Sequence, residues 1–273
     1  MILKPYQRLK YNSSDDFTII AHRGASAYYP ENTIISFKGA IDMAADMLEL
    51  DVQLTSDGEV VVFHDEKILR CTGGRGGIAD YPLAKLKKLD AGRWFNQEFQ
   101  GEKIPTLAEA LGLCKNKIAV NIEIKTEAVK DTIPGGIEEK CLDIVEKMGM
   151  RRHVVFSSFD PRAIRHLKQI DGKVSAAVLF ERKHYASPFP SAIVSALGAD
   201  AFNCSRRELN KAWLADLNAH GIPVNVYTIN DEKSMRRLLA LGVAGIFTNK
   251  PDLLRRVLDD FRWKQGEKAG RKW

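Results

Sequence analysis

The sequence predicts an α/β fold, a (β/α)8 TIM barrel with a small cap inserted after the second strand. Three observations predict it. Eight short apolar runs alternate with helical patterns along the 273 residues, the rhythm of parallel strands joined by crossover helices. Polar residues collect at the C-terminal ends of those runs, where a barrel brings its working groups together. One stretch, about residues 66–104, loses the alternation and is too long for an ordinary connection. An open doubly wound sheet is the alternative. The first strand-to-helix turn, Ala21-His22-Arg23-Gly24, lacks G-x-G-x-x-G, which removes that fold's commonest use.

Taken in order, a polar leader precedes a short buried strand, Phe17–Ala21, which ends in His22-Arg23-Gly24. Pro30-Glu31-Asn32-Thr33 opens a helix, with Asn32 as the expected N-cap and Ile34, Phe37, Ile41 and Ala44 at helical spacing. Met47–Leu54 alternates as a strand. Glu49, Asp51 and Gln53 share one face, and Leu48, Leu50, Val52 and Leu54 share the other. Ser56-Asp57-Gly58 turns the chain into a hairpin, and antiparallel pairing makes facing residue numbers sum to roughly 114 or 115. His64 then returns beside Glu49 and Asp51. The 66–104 excursion holds the run Gly73–Gly77, a short helix over Leu83–Leu89, and Asp90–Phe95. It reads as a mobile cap; no Gly-Lys-Ser/Thr follows its glycines, so it is no Walker loop.

Regular alternation then resumes. Helix Leu107–Cys114 leads to strand Ile118–Ile124, Glu138–Met148 to Val154–Ser157, and Arg162–Gln169 to Val174–Phe180. Ser191–Leu197 leads to Ala201–Cys204, Lys211–Ala219 to Pro223–Thr228, and Ser234–Leu241 to Gly245–Thr248, before a last helix after Pro251. The pattern gives one domain over residues 1–273, with its cap at about 66–104.

Composition narrows the function classes. No apolar run approaches a membrane span, and the N-terminal MILKPYQRLKYNSSDDF lacks the apolar region of a secretory signal. Cys71, Cys114, Cys141 and Cys204 are scattered without a C-x-x-C pair, which predicts free thiols in a reducing cytoplasm. The net charge of +6 is moderate, and its C-terminal share (Arg255, Arg256, Arg262, Lys264, Lys268, Arg271, Lys272) suits a solvated last helix better than a lipid- or nucleic-acid-binding tail. The expected partner is a small molecule, with no nucleic acid and no stable membrane insertion.

The chemistry lies at the strand ends. Glu49, Asp51 and Glu123 bring three carboxylates from adjacent strands, and such a group repels itself and raises its pKa values unless a cation joins it. An all-oxygen set favours Mg2+ or Ca2+, with Mn2+ possible, over zinc. Lys125 can pair with Glu123, but one lysine does not neutralise three carboxylates. Arg23 and Lys125 bring fixed positive charge suited to a phosphate. His22 and His64 supply two groups that titrate near neutrality, one to take a proton and one to give it. Together these describe phosphodiester cleavage. His153, His166, His184 and His220 read as structural or surface residues. Cys204 has no histidine to activate it.

These residues resemble the glycerophosphodiester phosphodiesterase family. The match runs through Ala21–Gly24, Pro30–Thr33, Glu49–Gln53, Asp57-Gly58, His64-Asp65, Leu89–Gly92 with Trp94-Phe95, and Ile104–Leu107. Asn121–Lys125, Ser157–Phe159 and Gly245–Asn249 complete it in order. The resemblance implies a metal-dependent hydrolase, releasing glycerol 3-phosphate and an alcohol from glycerophosphodiesters. It implies His22 and His64 as the acid–base pair, with His22 the base, and Glu49, Asp51 and Glu123 as ligands of one divalent cation. Arg23 and Lys125 would hold the phosphate, and the glycerol hydroxyl beside it would attack through a cyclic phosphate. Tyr227 stands where the family often has tryptophan, offering its ring to the glycerol, and Ala244 replaces a common aspartate. The alternatives are a lysophospholipase D acting on monoacylated lipids and a non-catalytic barrel binding phosphorylated ligands.

Overall fold

Strand ends and helix starts fix where the site forms. The computed structural model of the chain describes residues 17–185 and 189–270, the last six by backbone alone. The leader up to residue 16 and the basic residues Arg271 and Lys272 of the expected tail lie outside these. The strands are β1 (Thr18–His22), β2 (Met47–Leu54), β3 (Val60–Val62), β4 (Ala119–Ile124), β5 (Val154–Ser158), β6 (Ala176–Leu179), β7 (Ala201–Ser205), β8 (Val224–Tyr227) and β9 (Gly245–Thr248). They lie in the order β1-β9-β8-β7-β6-β5-β4-β2-β3. A parallel pairing of β1 with β2, His22 opposite Glu49, closes eight of them into the predicted barrel. The ninth, β3, is the hairpin return and pairs antiparallel to β2 in the expected register, Val52 with Val62 and Leu54 with Val60.

Alternation sorts the side chains into two environments. The outward set, such as Leu48, Leu50 and Val52 on β2, packs with Leu107, Leu111 and Ile137 of the covering helices. Val226 and Ile246 do the same against Trp213, Leu217 and Leu254 on the far side. Inside, Ile20, Met47, Val155, Ala177, Ala201 and Phe247 plug the barrel. Buried amides fill space beside this plug without orphaned groups: Asn121 Nδ2 donates to Ser157 Oγ at 2.9 Å, and Asn225 Nδ2 to Asn203 Oδ1 at 2.9 Å.

Element bounds fall within two residues of the sequence reading, with two differences. The helix expected over Leu83–Leu89 is one turn, Leu83–Leu86, with Leu86 its buried residue. The N-cap of the first helix, Ile34–Asp42, is Thr33 rather than Asn32. Thr33 and Ser36 exchange side chain-to-backbone bonds as a capping box. Asn32 has φ +57, and its side chain is engaged elsewhere.

After β3 the chain makes the long excursion of residues 63–105. It has a small core of its own, in which Phe63, Ile68, Cys71, Ile78, Leu86, Ala91 and Ile104 pack on Val61. No helix among the described residues is long and apolar enough to cross a membrane.

Candidate active site

Parallel register builds the centre. Asp51 lies opposite Glu123 across β2 and β4, and Glu49 lies opposite His22 across β2 and β1. Glu49 and Asp51 face inward because they are two residues apart. One oxygen from each of Glu49, Asp51 and Glu123 lies within 4.8 Å of the others. The first two residues are 1% exposed and the third 9%. The carboxylates are thus buried rather than set on an outer surface, as their apolar flanks predicted.

The surroundings divide the three electrostatically. Burial and the neighbouring Asp51 and Glu123 charges push the Glu49 carboxyl well above the usual range. Burial and Asp51 push Glu123 up to about 7. Asp51 departs from the expectation that all three rise. Burial opposes its charge, but Arg23 and Lys125 outweigh burial and lower its pKa. Arg23 Nε lies 3.4 Å from Asp51 Oδ2 and Lys125 Nζ 3.6 Å from Asp51 Oδ1. Asn32 Nδ2 adds a hydrogen bond to Asp51 Oδ2 at 2.8 Å. Lys125 also makes the expected pair with Glu123, at 2.9 Å. Burial works against the lysine's charge, yet Glu123 and Asp51 raise its pKa.

Two turns hold unusual backbone to do this. Arg23 has φ +56, which aims its N–H at Glu49 Oε2, 2.7 Å away. Gly24 follows at φ +87, where a Cβ would lie 2.4 Å from Ser36 Oγ, so only glycine fits. The Arg23 carbonyl accepts from Asn32 N–H at 3.0 Å and from Ser36 Oγ at 3.1 Å. The Ala21–Gly24 and Pro30–Thr33 segments therefore form one interlocked loop.

Each candidate histidine is oriented through Nδ1. His22 Nδ1 donates to Asn249 Oδ1 at 2.8 Å, which leaves Nε2 with the lone pair in the neutral ring. Burial, then the Arg23 charge, lowers its pKa to about 4, so the ring is neutral at pH 7. His64 Nδ1 donates to Asp65 Oδ1 at 2.6 Å. Arg70 hydrogen bonds hold the Asp65 carboxyl down at about 2 against some burial. Gln53, third on the inward face of β2, donates from Nε2 to Phe63 O at 2.9 Å and to Asp65 O at 2.8 Å. It ties the His64 segment to the barrel.

Tyr227 lies on β8 with its ring edge-on to Phe159 and Phe247. Its hydroxyl donates to Phe180 O at 3.0 Å, and burial raises its pKa. The ring, not the hydroxyl, is its free feature. His166 is structural, bonded to buried Glu138 at 3.0 Å, and Cys204 is buried with its thiol pushed up by desolvation.

Five groups join the site that the sequence pattern does not single out as site residues: Glu31, Asn32, Asp65, Arg70 and Asn249. Glu31 accepts from Arg23 Nη1 at 3.0 Å. Asn249 directly follows β9, so the strand-end rule reaches it. Asn32 carries a weaker signal, since asparagine tolerates positive φ. Glu31 and Asp65 lie in loops and Arg70 on a one-turn helix of the aperiodic excursion, where periodicity is silent.

The donor set suits a hard divalent cation. Glu49 Oε1 and Asp51 Oδ1 are buried without a hydrogen-bond partner, among the described residues, and such atoms are costly unless something positive meets them.

Comparison with known proteins shows what the chain is similar to. The profile of the glycerophosphoryl diester phosphodiesterase family matches residues 22–253. A glycerophosphodiester phosphodiesterase of Bacillus subtilis (strain 168) is 38% identical over 263 residues, covering 90% of this chain and 87% of the relative. The structure of an Oleispira antarctica phosphodiesterase in complex with the product sn-glycerol-3-phosphate superposes with a TM-score of 0.78 at 29% identity, covering 91% of this chain and all of that one. A Silicibacter pomeroyi crystal structure shares the fold with a TM-score of 0.82 at 24% identity, covering 90% and 94% of the two chains.

Proposed function

The chain belongs to the glycerophosphoryl diester phosphodiesterase family and is a phosphoric diester hydrolase, and we propose that it cleaves glycerophosphodiesters by paired histidine catalysis beside a carboxylate-bound divalent cation. One observation carries this reading. Two histidines, each fixed through Nδ1 by a hydrogen-bond acceptor, accompany three buried carboxylates, two of whose oxygens accept no hydrogen bond among the described residues; His22 lies opposite Glu49, and the His64 charge acts on Asp51.

Glu49, Asp51 and Glu123 are the residues that would hold Mg2+, Ca2+ or Mn2+, and the bound ion supplies positive charge for the phosphate and polarises its oxygens. Arg23 and Lys125, both charged at any working pH, bind the non-bridging phosphate oxygens. His22 is the base. Its neutral ring keeps a lone pair on Nε2, while Asn249 holds the Nδ1 proton and the ring's orientation. On this scheme Nε2 takes the proton from the glycerol hydroxyl beside the phosphodiester. That oxygen forms the new bond to phosphorus, and the bond from phosphorus to the head-group oxygen breaks. His64 gives its Nε2 proton to the departing alkoxide, with the ionised Asp65 stabilising the imidazolium before transfer. Water then opens the cyclic phosphate with the two roles exchanged. Tyr227 presents its ring to the glycerol, and the 66–104 excursion caps the mouth. The four cysteines, all free and buried, support a reducing, cytoplasmic setting.

The test is release of glycerol 3-phosphate from glycerophosphocholine and glycerophosphoethanolamine, in EDTA and in added Mg2+ or Ca2+. Metal-restored release from either diester is expected. Release that ignores EDTA would remove the cation from the reading. Cleavage of lysophosphatidylcholine alone would reassign the substrate to monoacylated lipids.

A further inference from the structure

Arg70 belongs to the excursion, not to the barrel, yet it reaches Glu31 in the loop that follows β1. It sits on a one-turn helix, Leu69–Thr72, between the buried anchors Ile68 and Cys71. Its guanidinium grips two carboxylates at once. Nε and Nη2 donate to Asp65 at 2.6 and 3.0 Å, and Nη1 and Nη2 donate to Glu31 at 3.0 and 2.6 Å. The underside of the same group lies 5.4 Å from the centre of the Trp94 ring. Trp94 is itself fixed by a 2.9 Å bond from Nε1 to Ala91 O.

Each carboxylate that Arg70 grips holds a different group of the site. Asp65 Oδ1 accepts from His64 Nδ1, and Glu31 Oε1 accepts from Arg23 Nη1. One guanidinium therefore sets the angle of the proposed acid and the position of the proposed phosphate ligand together. We infer that Arg70 is a positioning residue for the reaction, through which the excursion aligns His64 and Arg23. The inference rests on the reading of His64 and Arg23 given above. An exposed ion pair usually contributes little, and Arg70 is 42% exposed in its side chain. Two forked pairs on one planar group are the exception, because they fix direction as well as charge. Lysine has no planar fork and cannot serve both carboxylates in these directions.

The experiment compares kcat and KM for the metal-loaded wild type, His64→Ala, Arg70→Ala and Arg70→Lys on a glycerophosphodiester that the wild type cleaves. The expected result is a kcat about ten- to a hundredfold lower for Arg70→Ala, the scale of a misaligned catalytic group. Arg70→Lys should recover little of it, and added methylguanidine should restore part of the Arg70→Ala rate without changing the wild type. The double variant Asp65→Asn with Arg70→Ala should be little worse than the poorer single one. If Arg70→Ala does not fold, Arg70→Gln, which keeps the stem over Trp94, carries the same expectations. A kcat within about twofold of the wild type, losses that multiply with those of Asp65→Asn, or a defect untouched by methylguanidine would each overturn the role. An inactive wild type, or His64→Ala at full rate, would instead overturn the reading of the site beneath it.

Discussion

Removing the charge of Glu123 should change how stability depends on pH, in a window set by its surroundings. Burial and Asp51 raise this carboxyl from an ordinary 4.5 to about 7 in the folded chain. Between those values the folded protein holds a proton that the unfolded chain has released, so Glu123 costs stability as pH rises through the window. The difference corresponds to ~3 kcal/mol. The wild-type profile alone conceals this. His22 is lowered from 6.5 to about 4, and its contribution grows with pH between those values, nearly cancelling that of Glu123. The diagnostic quantity is the difference between the wild type and Glu123→Gln, melted in EDTA from pH 4.5 to 7.5. Relative to the variant, the wild type should lose ~3 kcal/mol across the window, about 6–12 °C in Tm for a chain of this size. Added Mg2+ or Ca2+ should raise the wild-type Tm progressively with pH, because ligation requires the ionised carboxylates, and should act less on Glu123→Gln. Parallel profiles for the two proteins in EDTA would refute the buried, proton-holding Glu123. A metal effect that stays flat with pH would refute its place among the ligands.

His22→Ala and His64→Ala should each lower kcat by about 10²-fold with Tm little changed; rates near the wild type for both would end the acid–base assignment. Gly24→Ala should destabilise by ~1–3 kcal/mol, because a side chain at that positive φ is strained and meets Ser36. Urea midpoints measure it, and an unchanged midpoint would show that the Arg23–Gly24 turn is not over-determined.

The barrel was legible because its signals are periodic. Alternation on Met47–Leu54 identified the inward face of Glu49, Asp51 and Gln53, and the hairpin sum that put His64 beside them is the one the β2–β3 register follows up to Val52 with Val62. Positions at strand ends followed from the fold. Groups between elements followed no such rule. Asn32 looked like a cap because asparagine before a helix usually is one. Its actual use, holding Asp51, depends on a positive φ that only the folded loop defines. Arg70 lies in a segment without period, and its meeting with Glu31 spans 39 residues of sequence. The downward shift of Asp51 had the same origin, since it needed both Arg23 and Lys125 within reach of one carboxylate.

Charge balance at the mouth explains why those placements belong together. If Glu49, Asp51 and Glu123 were all ionised without a cation, Arg23 and Lys125 would leave one negative charge to repel the single negative charge of a phosphodiester. The raised pKa values of Glu49 and Glu123 relieve that charge only by protonation. The Glu31, Asp65 and Arg70 group outside them adds another negative charge while His64 is neutral. Arg23 and Lys125 are also already paired, to Asp51 at 3.4 and 3.6 Å, so they do not face a phosphate as free cations. On the proposed reading, a divalent cation held by Glu49, Asp51 and Glu123 would turn the inner group net positive and take over the neutralisation of Asp51, and Arg23 and Lys125 would then be available to a phosphate. On this argument the cation and the phosphate ligands are one device, and substrate affinity should fall with metal removal even where the fold does not. Equilibrium dialysis of sn-glycerol 3-phosphate with and without Mg2+ or Ca2+ measures that directly, and equal binding in both would separate the two functions.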